Sequence, residues 1–290
     1  MTTGEGDWPP SSAVTWAETT LDSKVVASAL LQGGRTASHH HLVMEDGRVT
    51  VLRRWTSAKI HDVAEFSPSR EAVALSAMAT TTCPVPGLLG IDEQGRTCDV
   101  PAVLLTLVPG QPPRAADLGS LDVESLASAL AATHDHAAPP DLPDFSPWCW
   151  RHPLAVPIGS LAPAEWRRII SACGDVNDAR AEQAGDALLH GDFHAFNTLW
   201  REGRLTGVLD WPAAARGNPL ADVARMEGVL EAFCPGAGRA FVECYTALTG
   251  RSLTAWWQAR ELLDRLPEDP NDAVDLSLFD PQVRELAARL

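Results

Sequence analysis

The 290-residue chain carries 23 Lys and Arg against 38 Asp and Glu, a formal charge of −15, with 45% apolar and 21% charged residues. Such a chain has core material for one large domain or two lobes and is not disordered, and its acidic balance without a basic stripe argues against a nucleic-acid partner. The longest apolar run, residues 100–108 (VPAVLLTLV), is half a membrane span, and the start MTTGEGDWPP has no basic and apolar leader, so no membrane partner and a cytoplasmic location are expected.

Residues 1–20 hold Gly, Pro, Ser and Thr without a period and read as a loose arm with one turn of helix at most. From Val25 to Arg54 short β-like runs follow: VVASALLQ, a Gly33-Gly34 break, HHHLVM, a turn at Asp46-Gly47, and RVTVLRR. These form an antiparallel meander, since glycine accepts the positive φ that a tight hairpin turn requires. Residues 67–79 read as a helix with Ser67 as N-cap and Pro68 at the first position. Residues 87–91 and 100–108 suggest two more strands, and Pro109-Gly110 followed by Gln111-Pro112-Pro113 breaks the chain. A lobe boundary is placed there, with residues 1–110 as the N-terminal lobe and 111–290 as the C-terminal lobe. Beyond it Leu121, Val123, Leu126, Ala127, Leu130, Ala131 and His134 follow a 3.6-residue repeat, with Ser120 available as a cap. The first part carries 8 basic and 12 acidic residues (net −4) and the second 15 and 26 (net −11). Six cysteines are scattered without a C-x-x-C pair, so they read as reduced thiols.

The informative segment is residues 188–211, LLHGDFHAFNTLWREGRLTGVLDW. Asp192 and Asn197 stand before a run TLW, and Asp210 follows the returning run LTGVL, so a hairpin brings all three to one end. Phosphoryl transfer needs such a trio: one carboxylate to orient the attacking hydroxyl, and a carboxylate plus an amide oxygen to hold Mg²⁺ on nucleotide phosphates. The Asp-x4-Asn spacing is that of the kinase catalytic loop H-R-D-x-x-x-x-N, with Gly191 in place of the arginine.

The segment resembles the aminoglycoside phosphotransferase family of small-molecule kinases, whose loop reads H-G-D-x-x-x-x-N and whose metal strand ends in I/L-D-W; here these are His190-Gly191-Asp192 to Asn197, and Leu209-Asp210-Trp211. GNPLADVA is similar to the family's G-D-P-x-x-D-L-A. The resemblance spans about residues 25–230 and implies a two-lobed protein-kinase-like α+β fold, with an antiparallel-sheet N-lobe of five strands and a mainly helical C-lobe. It implies ATP or GTP as phosphate donor, Mg²⁺ as cofactor and a small-molecule hydroxyl as acceptor; a monomer and a homodimer both stay open. By position, Asp192 would be catalytic, Asn197 and Asp210 would hold the metal, and His190 and Asp222 would support the loop. Gly33, Gly34 and Ser38 would lie over the nucleotide. Where kinases have V-A-I-K, the strand offers Arg53 or Arg54. Arg53 shares a face with Val49 and Val51 and is favoured, with Glu71 as its partner. The backbone of about Thr106 to Val108 would meet the nucleobase.

The sequence departs from the family in His194-Ala195-Phe196 before Asn197, in Asn218, and in an arginine for the usual lysine, which keeps the charge but changes the donor geometry. Outside this set the plainer readings are preferred. His39-His40-His41 cannot converge on a metal, because successive strand residues face opposite ways. His134 reads as a packing residue at a helix end, satisfying carbonyls. Trp148 and Trp150 read as packing under a Pro-rich loop, Trp256 and Trp257 as inward-facing, and residues 268–272 as a solvated acidic turn. An antibiotic, aminoglycoside-like or otherwise cationic, is the expected acceptor; a kinase of a hydroxylated metabolite and a non-catalytic nucleotide-binding protein are the alternatives.

Overall fold

The computed structural model describes residues 8–31, 37–56, 67–146, 164–173, 184–265 and 276–290. Gly33, Gly34, Trp148, Trp150 and the acidic turn at 268–272 lie outside the described residues. The chain has the two-lobed α+β kinase-like architecture. Five antiparallel strands, β1 (Val25–Leu31), β2 (Ser38–Met44), β3 (Val49–Arg54), β4 (Leu88–Asp92) and β5 (Ala102–Thr106), are ordered β1-β2-β3-β5-β4. The β2–β3 turn forms at Asp46-Gly47, where Gly47 has φ +85° and the Asp46 carboxylate accepts from Arg48 N at 2.9 Å.

The amino-terminal segment corrects the loose-arm expectation. Ser11–Leu21 is a helix, α1, and Ala13, Trp16, Ala17 and Leu21 bury its inner stripe against Leu42, Leu52 and Leu104 of the sheet. Spacings of three and four residues bring those side chains onto one face, a pattern that the flanking Pro, Ser and Thr residues obscure.

Helix α2 (Pro68–Met78) starts as its sequence suggests: Ser67 Oγ accepts from Arg70 N at 3.1 Å, with Pro68 in the first turn. The next helix, α3 (Val123–His134), is capped by Asp122, not by Ser120; the Asp122 carboxylate accepts from Glu124 N and Ser125 Oγ. Ser120 instead donates to Asp117 O and closes a preceding 3-10 turn.

The C-lobe continues with α4 (Ala164–Cys173), a short strand β6 (Ala187–Leu189), the hairpin β7 (Thr198–Arg201) and β8 (Arg204–Val208), and β9 (Ala215–Gly217), which pairs with β6. Helices α5 (Leu220–Phe233), α6 (Ala237–Thr249), α7 (Ala255–Leu263) and α8 (Asp280–Arg289) complete it. The main core runs through both lobes, from Leu75 and Met78 of α2 to Phe193, Trp211, Met226 and Trp257. Trp257 is fully buried and Trp256 packs partly against the same core. Among the described residues Cys83, Cys98, Cys173, Cys234 and Cys244 are free thiols. Burial pushes the thiols of Cys83, Cys98 and Cys173 up to about 12, which keeps them protonated and inert.

Candidate active site

The segment from His190 to Asp210 folds as strand end, tight loop, 3-10 turn and hairpin. Gly191 has φ +81°, and a Cβ placed there would sit 2.2 Å from Ala213 O, so the loop passes the chain after Trp211 at a distance only glycine allows. Ala195–Asn197 forms the 3-10 turn that leads into β7. Leu209 N donates to Asn197 O at 2.8 Å, which ties the start of the hairpin to its end and sets Asn197 beside Asp210.

Asp222, in the first turn of α5, anchors the loop backbone. Its carboxylate accepts from His190 N at 2.7 Å and Gly191 N at 2.9 Å, and it also meets His134 Nε2 at 3.2 Å. His134 packs in the core as expected, 3% exposed, but its partners differ: both ring nitrogens are used on side chains, Asp222 and the Tyr245 hydroxyl (2.7 Å), not on helix-end carbonyls. Burial holds His134 below its ordinary value, so the ring is neutral. His190 is neutral for the same reason. Its Nδ1 accepts from Asp192 N, and its Nε2 donates to Leu209 O, bridging the loop and the strand that carries Asp210.

Asp192 itself is held by side chains. Arg225 Nε and Nη2 donate to its Oδ1 at 2.9 and 2.7 Å, while His194 Nε2 and Asn197 Nδ2 both stand 3.5 Å from Oδ2. Burial works against a charge there, but Arg225 and His194 outweigh it and hold the carboxyl well below the ordinary aspartate range.

From the N-lobe, Arg53 on β3 reaches the same region. Its Nη1 donates to Glu71 Oε1 of α2 at 2.9 Å and its Nη2 to Asp210 Oδ1 at 2.6 Å, with the guanidinium 4.8 Å from the Trp55 ring centroid. Alternation sends Arg54 to the other face, where it pairs with Asp99 at 2.6 Å. Burial disfavours the Arg53 charge, yet Glu71 and Asp210 overcome this and hold it above its ordinary value. Asp210 has φ +71°, an uncommon conformation that an aspartate tolerates better than bulky residues do.

The oxygen donors suit a hard cation. Asn197 Nδ2 is engaged by Asp192 O at 3.0 Å, which leaves Asn197 Oδ1 for a ligand, and Asp210 spends Oδ1 on Arg53. Asp210 keeps 42% of its side chain exposed. Among the described residues no three His, Cys, Asp or Glu side chains form a metal cage.

The remaining predicted residues are placed less centrally. Ser38 opens β2 opposite Arg54. Thr106 ends β5 with its N–H donated to Gly87 O at 2.8 Å, and Val108 packs against Gly207 of the β7–β8 hairpin. Sequence reasoning missed Arg225 and His194 as neighbours of Asp192, and Glu261 as the partner behind Arg225. It also missed His39, which pairs in register with Arg53; burial first, then the Arg53 charge, lowers it to about 4. Arg225 stands three residues after Asp222, one helical turn along the same face, and that spacing was the available signal.

The chain matches the family described as Phosphotransferase enzyme family over residues 30–268. No curated protein matches it. Among solved structures it is similar to the macrolide 2'-phosphotransferase MphH from Brachybacterium faecium (21% identity, 96% of this chain and 97% of that one, TM-score 0.63). It is also similar to a thermostable mutant of the aminoglycoside phosphotransferase APH(4)-Ia in complex with ADP and hygromycin B (18% identity, 96% and 95%, TM-score 0.58). A third is a candidate fructosamine-3-kinase from Thermobifida fusca (20% identity, 96% and 99%, TM-score 0.60). Among the described residues no helix is long and apolar enough to cross a membrane.

Proposed function

The chain belongs to the phosphotransferase enzyme family, and from that premise we propose that it transfers the γ-phosphate of ATP or GTP to a hydroxyl of a small molecule. The carrying observation is that Asp192, Asn197 and Asp210 lie at one end of the β7–β8 hairpin, with the Arg53–Glu71 pair of the N-lobe touching Asp210. We place the division between the lobes at residue 110, with the nucleotide between them. Magnesium, when bound by Asn197 and Asp210, offsets the negative charge of the nucleotide phosphates.

In this reading Arg53 orients the phosphates from the N-lobe side, in the role that a lysine has in kinases. Asp192 accepts a hydrogen bond from the acceptor hydroxyl and aims its oxygen at the γ-phosphorus. As the new P–O bond forms and the bond to the β-phosphate oxygen breaks, the hydroxyl proton passes to Asp192 and then to solvent. A carboxylate held below the ordinary aspartate range is a weak base, so Asp192 chiefly orients the hydroxyl and takes the proton late.

The proposed acceptor is an antibiotic-like, cationic small molecule. This is supported by the net −11 of residues 111–290 and by two relatives in fold whose names state macrolide and aminoglycoside phosphotransferase activity. The test is transfer of labelled phosphate from ATP and from GTP, with magnesium, to a panel of antibiotics and hydroxylated metabolites. Transfer to one member is expected, with a loss of about 10²- to 10⁴-fold in Asp192→Ala. Transfer that persists in Asp192→Ala would refute the assignment of Asp192, and a nucleotide that neither binds nor turns over would refute the function.

A further inference from the structure

Helix α5 holds the catalytic loop at two adjacent points. Asp222 in its first turn takes the backbone N–H groups of His190 and Gly191, and Arg225, three residues later, takes the side chain of Asp192. The two contacts differ in what they fix. Backbone anchoring sets where the loop lies, but leaves the Asp192 carboxylate free to rotate about its own side-chain bonds. Arg225 removes that freedom by giving two N–H donors, at 2.9 and 2.7 Å, to a single oxygen, Oδ1. The other oxygen has only His194 and Asn197 at 3.5 Å, at the edge of hydrogen-bond range.

Arg225 is itself fixed. Its Nη1 donates to Glu261 Oε1 of α7 at 3.1 Å, and Glu261, 3% exposed, is gripped in turn by Arg265 at 2.6 Å and Arg260 at 3.3 Å. The guanidinium therefore spans two carboxylates, one facing the reaction and one locked into the helical bundle.

We propose that Arg225 is a positioning residue for phosphoryl transfer: by occupying Oδ1 of Asp192 and bracing against Glu261, it presents Oδ2 to the acceptor hydroxyl. The proposal rests on the reading of Asp192 as the acceptor-facing carboxylate. It assigns a task to a pair of residues, Arg225 and Glu261, that lie outside the H-G-D-x4-N and L-D-W motifs. It also makes the helical bundle part of the catalytic geometry, since α7 holds the arginine that holds the carboxylate.

The test compares full-length wild type, Arg225→Met, Arg225→Lys and Asp192→Ala, each checked for folding by circular dichroism. Turnover of ATP with magnesium is measured on an acceptor that gives transfer in the panel, and as release of inorganic phosphate without acceptor. Arg225→Met is expected to lower kcat about 10- to 100-fold, the penalty of a small misplacement of a reacting group, with the KM for ATP within about twofold. Arg225→Lys keeps a charge but loses the fork, so its kcat should lie between the two at the same KM. A role confined to stability would lower the melting midpoint and leave kcat of the folded protein unchanged, and that result would overturn the proposal. Should Arg225→Met not fold, Arg225→Lys decides alone: reduced kcat at unchanged KM supports the proposal, and wild-type kcat overturns it. Loss of activity in Asp192→Ala alongside normal Arg225 variants refutes only the role of Arg225. Full activity in Asp192→Ala refutes the parent reading and this proposal with it.

Discussion

Two arginines meet the carboxylates of the site, and they are built alike from opposite sides. Arg53 joins Asp210 to Glu71, and Arg225 joins Asp192 to Glu261; each guanidinium has one partly exposed partner, 42% and 26%, and one buried partner, 1% and 3% exposed. The difference lies in depth. The Arg53 side chain is 6% exposed, whereas that of Arg225 is 25% exposed. The first pair therefore carries more desolvation, and loss of its buried partner has a larger effect. The comparison teaches that a partly exposed carboxylate gains a defined direction from a cation which is anchored elsewhere.

The sharpest way to break the likeness is to remove one buried glutamate. Glu71→Ala leaves Arg53 buried with Asp210 alone and should cost about 3–5 kcal/mol of stability, read as a shift of the urea midpoint, together with weaker nucleotide binding. The next test uses a contrasting carboxylate. Glu227 of α5 lines a cavity of about 210 Å³ beside Glu261, and its direct partner is the Gln258 amide at 3.0 Å, not a guanidinium. Burial, helped by Glu231 and Glu261 and opposed by Gln258 and Arg289, raises its carboxyl to about 7. A raised folded-state value means that the folded protein holds this proton where the unfolded chain has lost it. Stability should therefore fall as pH rises from about 4.5 to about 7, by about 3 kcal/mol at most. Glu227→Gln should remove that slope in denaturation curves taken across the interval; an unchanged slope would assign it to other groups. The smallest effect concerns how α2 presents Glu71: Ser67→Ala deletes the N-cap and should cost about 1 kcal/mol, seen in the same urea titration.

These regions were unequally legible in the sequence. Arg53 and Glu71 could be named because the segments that hold them resemble the family's, and the structure separates Arg53 from Arg54 because strand alternation is a local pattern. The β7–β8 hairpin was legible for the same reason, its turn residues Glu202 and Gly203 having φ of +52° and +75°. Arg225 was not. An arginine on a helix is ordinarily a solvated side chain, and its partners lie 33 and 36 residues away. Only tertiary packing brings them together. Helix α1 was hidden differently: its buried stripe is visible at positions 13, 16, 17 and 21, but Pro9, Pro10 and the Thr residues around it imitate a loop. The nitrogens of His134 find Asp222 and Tyr245 for a reason no local rule covers, because α6 supplies the hydroxyl.

The close pass at Gly191 has one more consequence. With Ala213 O 2.2 Å from where a Cβ would stand, the position that holds arginine in H-R-D loops admits no side chain here, and the positive charge beside Asp192 comes from another stretch of chain. The loop is therefore not a portable module. A graft of residues 190–197 into a foreign scaffold would transplant the carboxylate without its counter-charge, and the smallest transferable unit must include α5 as well.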